Sequence, residues 1–183
     1  NLEYVIKTLI KDCAQASERW DILALPGVEI THVPKDDIKM VAQAAKALGA
    51  KLVAVHGETI VEPVEPGTNE AAIRSGAVDI LAHPGLISYD DAKLAAENGV
   101  YLEVSARKGH SLTNGHVVKT ARDAGAYTVL DSDAHEPEDL LTVELTHKIA
   151  KGAGLNDEDA HVLLQVNPQN LLKRLGFDTV ALG

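Results

Sequence analysis

A single cysteine, Cys13, stands in 183 residues, so no disulfide framework holds the fold, and a reducing, cytoplasmic location is expected. Cys13 falls on the apolar face of a helical stretch and reads as packing. Long apolar runs are lacking too. The longest, such as Ala77 to Ala82 interrupted by Asp79, are strand-sized, and none nears the roughly 20 residues of a membrane span. No membrane partner is expected. Basic residues are scarce and dispersed: 17 Lys and Arg against 27 Asp and Glu leave a net charge of −10. That removes the electrostatic footprint of a general nucleic-acid binder and suits a protein that binds cations. Neither GxGxxG nor GxxxxGK[ST] follows any apolar run, which counts against nucleotide-binding forms of an open sheet.

What is present is a rhythm. Leu2, Val5, Ile6, Leu9, Ile10 and Cys13 recur at helical spacing, a helix already in progress at the first residue rather than a signal peptide. From Ile22 onward, short apolar runs alternate with amphipathic helices every 20 to 30 or so residues, the length of a βα unit. The strands read DILALPGVEI, KLVAVHGE, VDILAHPG, VYLEVSA and YTVLDSDAH, rich in Val, Ile and Leu as buried parallel strands are. Asp36 and Asp37 precede the apolar face of Ile38 to Leu48. Ser88 with Asp91 resembles a capping box, Thr113 or Asn114 could cap His116 to Ala124, and Asn167 with Pro168 starts a last helix. Glu62 to Gly67 (EPVEPG) is an irregular loop after the second strand, where a lid or substrate-contact segment would sit. The expected fold is α/β, a parallel (βα) barrel in one domain, 1–183. Five strands fall short of the eight that occupy about 250 residues in a full barrel, so the barrel is expected to be N-terminally incomplete in this chain.

The ionisable residues Glu29, His56, His83, Glu103, Asp131, Asp133 and His135 all fall at or just past the C-terminal ends of these strands. In a parallel barrel those ends share one face, where active sites are built. Carboxylates and imidazoles converging there with few cations call for metal ions. Any one of these histidines could be a hydrogen-bonded core group, but recurrence in four βα units argues against independent packing choices. Asp133 and His135, two apart on an extended chain, would point to one side and ligate together. His147 and His161 lie off the strand ends and read as solvated. His32 could support the site or sit in a surface loop, and Glu58 could contact substrate or metal or cap its loop.

After the fourth strand, ARKGHSLTNGH crowds Arg107, Lys108, His110, Ser111 and Asn114 into a loop leading to a helix. Cations and free backbone N–H groups there would bind a phosphate, with an ordinary polar loop as the alternative.

The ordered motifs PGVEI, VHGE, LAHPG and DSDAH, spanning Leu25 to His135, resemble the PHP (polymerase and histidinol phosphatase) superfamily, in particular its histidinol-phosphate phosphatase-like proteins. The resemblance implies a distorted, TIM-like (βα)7 barrel and two or three divalent ions (Mn, Fe or Zn). It also implies hydrolysis of a small phosphorylated substrate by metal-activated water. Glu29, His56, His83, Asp133 and His135 would be the metal ligands, with Glu29, Asp133 and His135 catalytic. Arg107, Lys108, His110 and Asn114 would bind substrate. The superfamily's HxH and Asp-His segments are not found in these residues and are expected to precede them, so that the chain alone could be inactive. Nucleic acid enters only as a possible substrate. Two rivals share the barrel: an RNA-binding, non-catalytic PHP-like fold such as a ribonuclease P subunit, disfavoured by the negative charge, and an amidohydrolase-type metal hydrolase. The bridging lysine of the latter has no strand-end candidate, because Lys51 opens a strand.

Overall fold

The Val- and Ile-rich runs form five strands of one sheet in the computed structural model, which describes residues 1–177. The expected domain end at Gly183 lies outside the described residues. Strands β1 (Gly27–Ile30), β2 (Leu52–His56), β3 (Ile80–Ala82), β4 (Tyr101–Ser105) and β5 (Thr128–Asp131) pair in sequence order, all parallel. Helix α1 (Leu2–Arg19) precedes the sheet, and α2 (Lys35–Ala47), α3 (Thr68–Arg74), α4 (Tyr89–Asn98) and α5 (Asn114–Ala124) connect the strands. After β5 come α6 (Val143–Gly152), α7 (Asp157–His161) and α8 (Asn167–Arg174).

Register and alternation assign each face. Gly27 pairs with Leu52, Glu29 with Ala54, Ala54 with Ile80, Ile80 with Tyr101, and Glu103 with Val129. Side chains of paired residues share a face, and neighbours along a strand alternate. One face therefore carries Val53, Val55, Leu81 and Leu102, which pack into one buried cluster with Ile38 and Ala42 of α2, Ile73 of α3, Ala92 and Ala95 of α4 and Val117 of α5. Fully burying a Leu or Ile contributes about 1.5–3 kcal/mol, so this layer supplies most of the cohesion. On the opposite face the lower rungs are apolar too: Ile80, Tyr101 and Val129 pack on Leu171 of α8. The upper rungs of that same face are Glu29, His56, Glu103 and Asp131.

Two glycines let the strand ends approach closely. A Cβ on Gly85 would lie 1.9 Å from the Glu58 carbonyl oxygen, at a φ of 65°, and one on Gly57 would lie 2.6 Å from the Ala82 oxygen. The glycines of HPG and VHG are thus set by packing between the β2 and β3 ends.

One expected boundary moves. Only Gly27–Ile30 of the first expected strand forms β1; the Pro26 carbonyl still accepts from Lys51 N at 2.7 Å, but Pro26 has no amide with which to extend the ladder further. Helix α6 starts at Val143, where the Thr142 hydroxyl accepts from Leu145 N at 3.2 Å. Ser88 caps α4 as its spacing predicts, accepting from Asp91 N at 3.0 Å and donating to Asp91 Oδ2 at 2.7 Å. Thr113 precedes α5 without a side-chain cap.

Candidate metal centre

The upper rungs converge. The Glu29 Oε1 lies 3.2 Å from His56 Nδ1 and 3.6 Å from His83 Nε2, and the two imidazole nitrogens are 2.9 Å apart. Beyond β3, His83 stacks on His110 with ring centroids 4.1 Å apart, and His110 Nε2 lies 3.8 Å from Asp133 Oδ2. Two donor groups result, Glu29–His56–His83 and His83–His110–Asp133, each with ligand atoms within 4.8 Å of one another. His83 belongs to both.

Behind His83 sits Glu103, on the inner face of β4. Its Oε2 accepts from His83 N at 2.7 Å and lies 2.9 Å from His83 Nδ1. A carboxylate on one ring nitrogen fixes the tautomer that leaves the other nitrogen as a donor to a metal. Its other oxygen, Oε1, is buried with no hydrogen-bond partner among the described residues. An orphaned buried carboxylate oxygen is costly in a protein interior.

Electrostatics around the cluster follow from burial and crowding. The Asp131 carboxyl is pushed up to about 7, first by burial and then by Glu103, Asp133 and Glu29. Asp133 is also raised, by burial and by Glu103 and Glu29 against the pull of His83 and Arg107. Burial opposes ionisation of Glu29, but the His56 hydrogen bond and the nearby imidazoles outweigh it and hold this carboxyl low. For His56, burial is outweighed by Glu29 and Glu62, which raise it. His110 is lowered by burial and by His83 and His56. A site whose acids repel one another and whose imidazoles are buried suits a cation. Imidazole with carboxylate is a donor set that Mn, Fe and Zn accept. The residues therefore fit a divalent ion.

Backbone conformation singles out the same rim. His32, His83 and Asp133 are the non-glycine residues at positive φ among the described residues, at 55°, 31° and 50°. Such conformations gather where function requires them.

Each expected site residue can now be located. Glu29, His56, Glu62, Arg107, His110, Asp133 and His135 line one pocket of about 150 Å³, and His83 lies behind it. Sequence spacing misplaced five of the expected residues. Asp133 and His135 do not share an extended strand: β5 ends at Asp131, and the positive φ of Asp133 turns the chain. His135 is 62% exposed along its side chain, with Nδ1 3.0 Å from the Asp133 carbonyl oxygen. His110 is no part of a cationic loop: it is buried against His83, with Nδ1 2.9 Å from Thr59 Oγ1. The Asn114 side chain is taken up by Ser105, accepting from its N at 3.0 Å and donating to its O at 2.8 Å, so it braces the end of β4 and is no free substrate contact. Lys108 is exposed and lines a neighbouring pocket instead. Arg107 does reach the site, donating to the Asp133 carbonyl at 3.1 Å. Glu58 caps its loop, accepting from Gly67 N and Asn69 N at 3.0 Å each. His32 is exposed, 3.8 Å from Glu62. Spacing flags Glu103 only as a strand-end acid and Glu62 only as the start of a possible substrate-contact loop, and gives no sign of Thr59.

No family model matches the chain. The uncharacterized protein MJ1295 of Methanocaldococcus jannaschii is 45% identical over 174 residues, which cover 92% of this chain and 80% of that protein. The chain belongs to that protein's family. More distant relatives are named "Probable phosphatase". One from Aeromonas salmonicida is 32% identical over 130 residues, covering 61% of this chain and 52% of its own length. Another, YcdX of Escherichia coli, is 31% identical over 139 residues, covering 68% and 56%. The chain thus spans about half the length of these phosphatases. Among solved structures, an amidohydrolase superposes with a TM-score of 0.63 at 16% identity, over 94% of this chain and 46% of that one. The ochratoxinase of A. niger superposes at 0.60 and 14%, over 79% and 39%. At such identities the likeness is one of fold. No helix among the described residues is long and apolar enough to cross a membrane.

Proposed function

We propose that the chain carries the metal-binding core of a phosphoester hydrolase of the PHP kind, with its parallel sheet forming part of a barrel. The observation that carries this reading is the pair of donor groups sharing His83, backed by the unpartnered Glu103 oxygen. Motifs at Glu29, His56, His83 and Asp133 resembling that superfamily, and relatives named probable phosphatases, support it.

In this reading Glu29, His56, His83, His110 and Asp133 hold two or more divalent ions, and His135 completes the set from the rim. Such ions supply Lewis acidity toward a phosphoryl oxygen and bring the pKa of water near neutrality. The chain's own groups do the positioning. Glu103 fixes the His83 tautomer, and the Glu29 and Asp133 carboxylates balance the cationic charge. Arg107 offers guanidinium hydrogens to a phosphate oxygen as negative charge develops there. The pocket of about 150 Å³ admits a phosphoryl group and excludes most of the ester, so the organic part of a small phosphorylated substrate would lie outside it.

The test is elemental analysis of the purified chain together with a panel of phosphomonoesters, phosphodiesters and N-acyl amides. Bound Mn, Fe or Zn, with phosphoester turnover that chelation abolishes and the metal restores, is the expected result. Turnover of the amides alone would favour the amidohydrolase reading, which the fold likeness to an amidohydrolase suggests. Absence of bound metal and of all turnover would remove the hydrolase reading from this chain.

A further inference from the structure

We infer that Asp139 is a positioning residue: with Arg107 it forms a clasp that sets the backbone of residues 133–136 and so aims Asp133 and His135. Its bearing on metal rests on the function proposed above. Residues Ser132 to Ala134 belong to no strand or helix, so no ladder fixes them, and Asp133 sits at a φ of 50°. Arg107 holds it at the Asp133 carbonyl, and one carboxylate oxygen holds the two residues just beyond it. Asp139 Oδ2 accepts from His135 N at 2.9 Å and from Glu136 N at 3.1 Å, and Arg107 Nη1 lies 3.5 Å from it. The same Arg107 nitrogen donates to the Asp133 carbonyl at 3.1 Å. Pro137 opens the single 3₁₀ turn, Pro137–Asp139, that brings this carboxylate back over the chain preceding it.

Asp139 does not itself face the candidate ligands. It lines the larger pocket, of about 570 Å³, and not the smaller one holding the candidate ligands. Arg107 and His135 line both. The clasp therefore forms the partition between the two spaces, and residues that orient ligands from behind commonly tune metal affinity by 10- to 100-fold.

The experiment compares the full chain with Asp139→Ala and Asp139→Asn, since asparagine keeps an acceptor oxygen for the two amides. Amide hydrogen exchange by NMR, without metal, reads the clasp directly. His135 and Glu136 should exchange about 10-fold faster in Asp139→Ala and near the wild-type rate in Asp139→Asn. Unchanged protection of Leu102 and Val104 in β4 reports that the fold is kept. Mn(II) affinity by calorimetry should fall about 10- to 100-fold in the alanine variant and less than about 3-fold in the asparagine variant. Wild-type exchange at both amides in Asp139→Ala, or equal loss in the two variants, would overturn the clasp. Wild-type protein that takes up no Mn(II) would instead sink the metal reading, with the exchange data still deciding the clasp.

Discussion

The two ends of the sheet treat charge in opposite ways. At the N-terminal ends of β2 to β4 lies the largest pocket described, about 620 Å³, lined by Lys46, Asp79 and Arg174 among others. Lys46, Asp79 and Arg174 are all partnered there. Asp79 Oδ2 accepts from Val53 N at 2.8 Å and meets Lys46 Nζ at 2.5 Å, while its Oδ1 lies 3.4 Å from Arg174 Nη2. The Arg174 guanidinium stacks over the Tyr101 ring at 5.0 Å. At the C-terminal ends the pocket is smaller, yet Glu103 keeps a buried oxygen without a donor among the described residues, and Asp131 is driven up to about 7 by burial and then by its acidic neighbours. Size does not mark the working end. Unbalanced charge does, because a folded chain tolerates buried repulsion where something else is meant to be bound.

Substitution at each end should separate stability from function. Asp133→Ala should lower kcat/KM toward a phosphoester by about 10³-fold or more, as loss of a ligand from an assembled site does, with little change in the metal-free unfolding midpoint; unaltered turnover would contradict its role. Asp79→Ala should do the reverse. Removing one member of a buried ionic cluster costs about 3–5 kcal/mol, read in urea unfolding, while Mn(II) affinity stays within about 2-fold of wild type.

The pH dependence of stability should also come from the upper end. Asp131 holds its proton more tightly folded than unfolded, so it contributes stability at low pH that is lost as pH rises toward about 7. Each unit of that window corresponds to about 1.4 kcal/mol at most. Asp131→Asn should flatten the slope between pH 4 and 7 (about three units by that shift), and saturating Mn(II) should reverse it. A slope unchanged by either would show that the crowding at this end is not felt by folding. The smallest effect belongs to Lys108→Ala, a change outside the ligand pocket, which should alter phosphate inhibition less than about 3-fold, as expected for an exposed charge.

The same contrast explains what could be read from sequence. The βα rhythm and the strand-end positions of Glu29, His56, His83 and Asp133 follow from local periodicity, which one-dimensional pattern records well. Glu103 was visible as a strand-end acid, but its hold on His83 depends on how β4 stacks beside β3, a contact between residues 20 apart. His110 looked like part of a cationic loop because its neighbours in sequence are Lys108 and Gly109, whereas its neighbours in space are His83 and Asp133. The Asp133–His135 spacing suggested an extended pair, and nothing local announced the positive φ that breaks it. Asn114 read as a cap or ligand for the same reason that it serves as a brace: a short amide side chain satisfies whichever backbone lies nearest.

The central claim is that ions sit at the C-terminal rim and share His83. Crystals of the chain grown with Mn(II), with anomalous diffraction recorded at the manganese edge, test it directly. Anomalous peaks are expected between His83 and the two groups Glu29–His56 and His110–Asp133. Anomalous density absent from that rim, or found only around Asp79 at the opposite end, would contradict it.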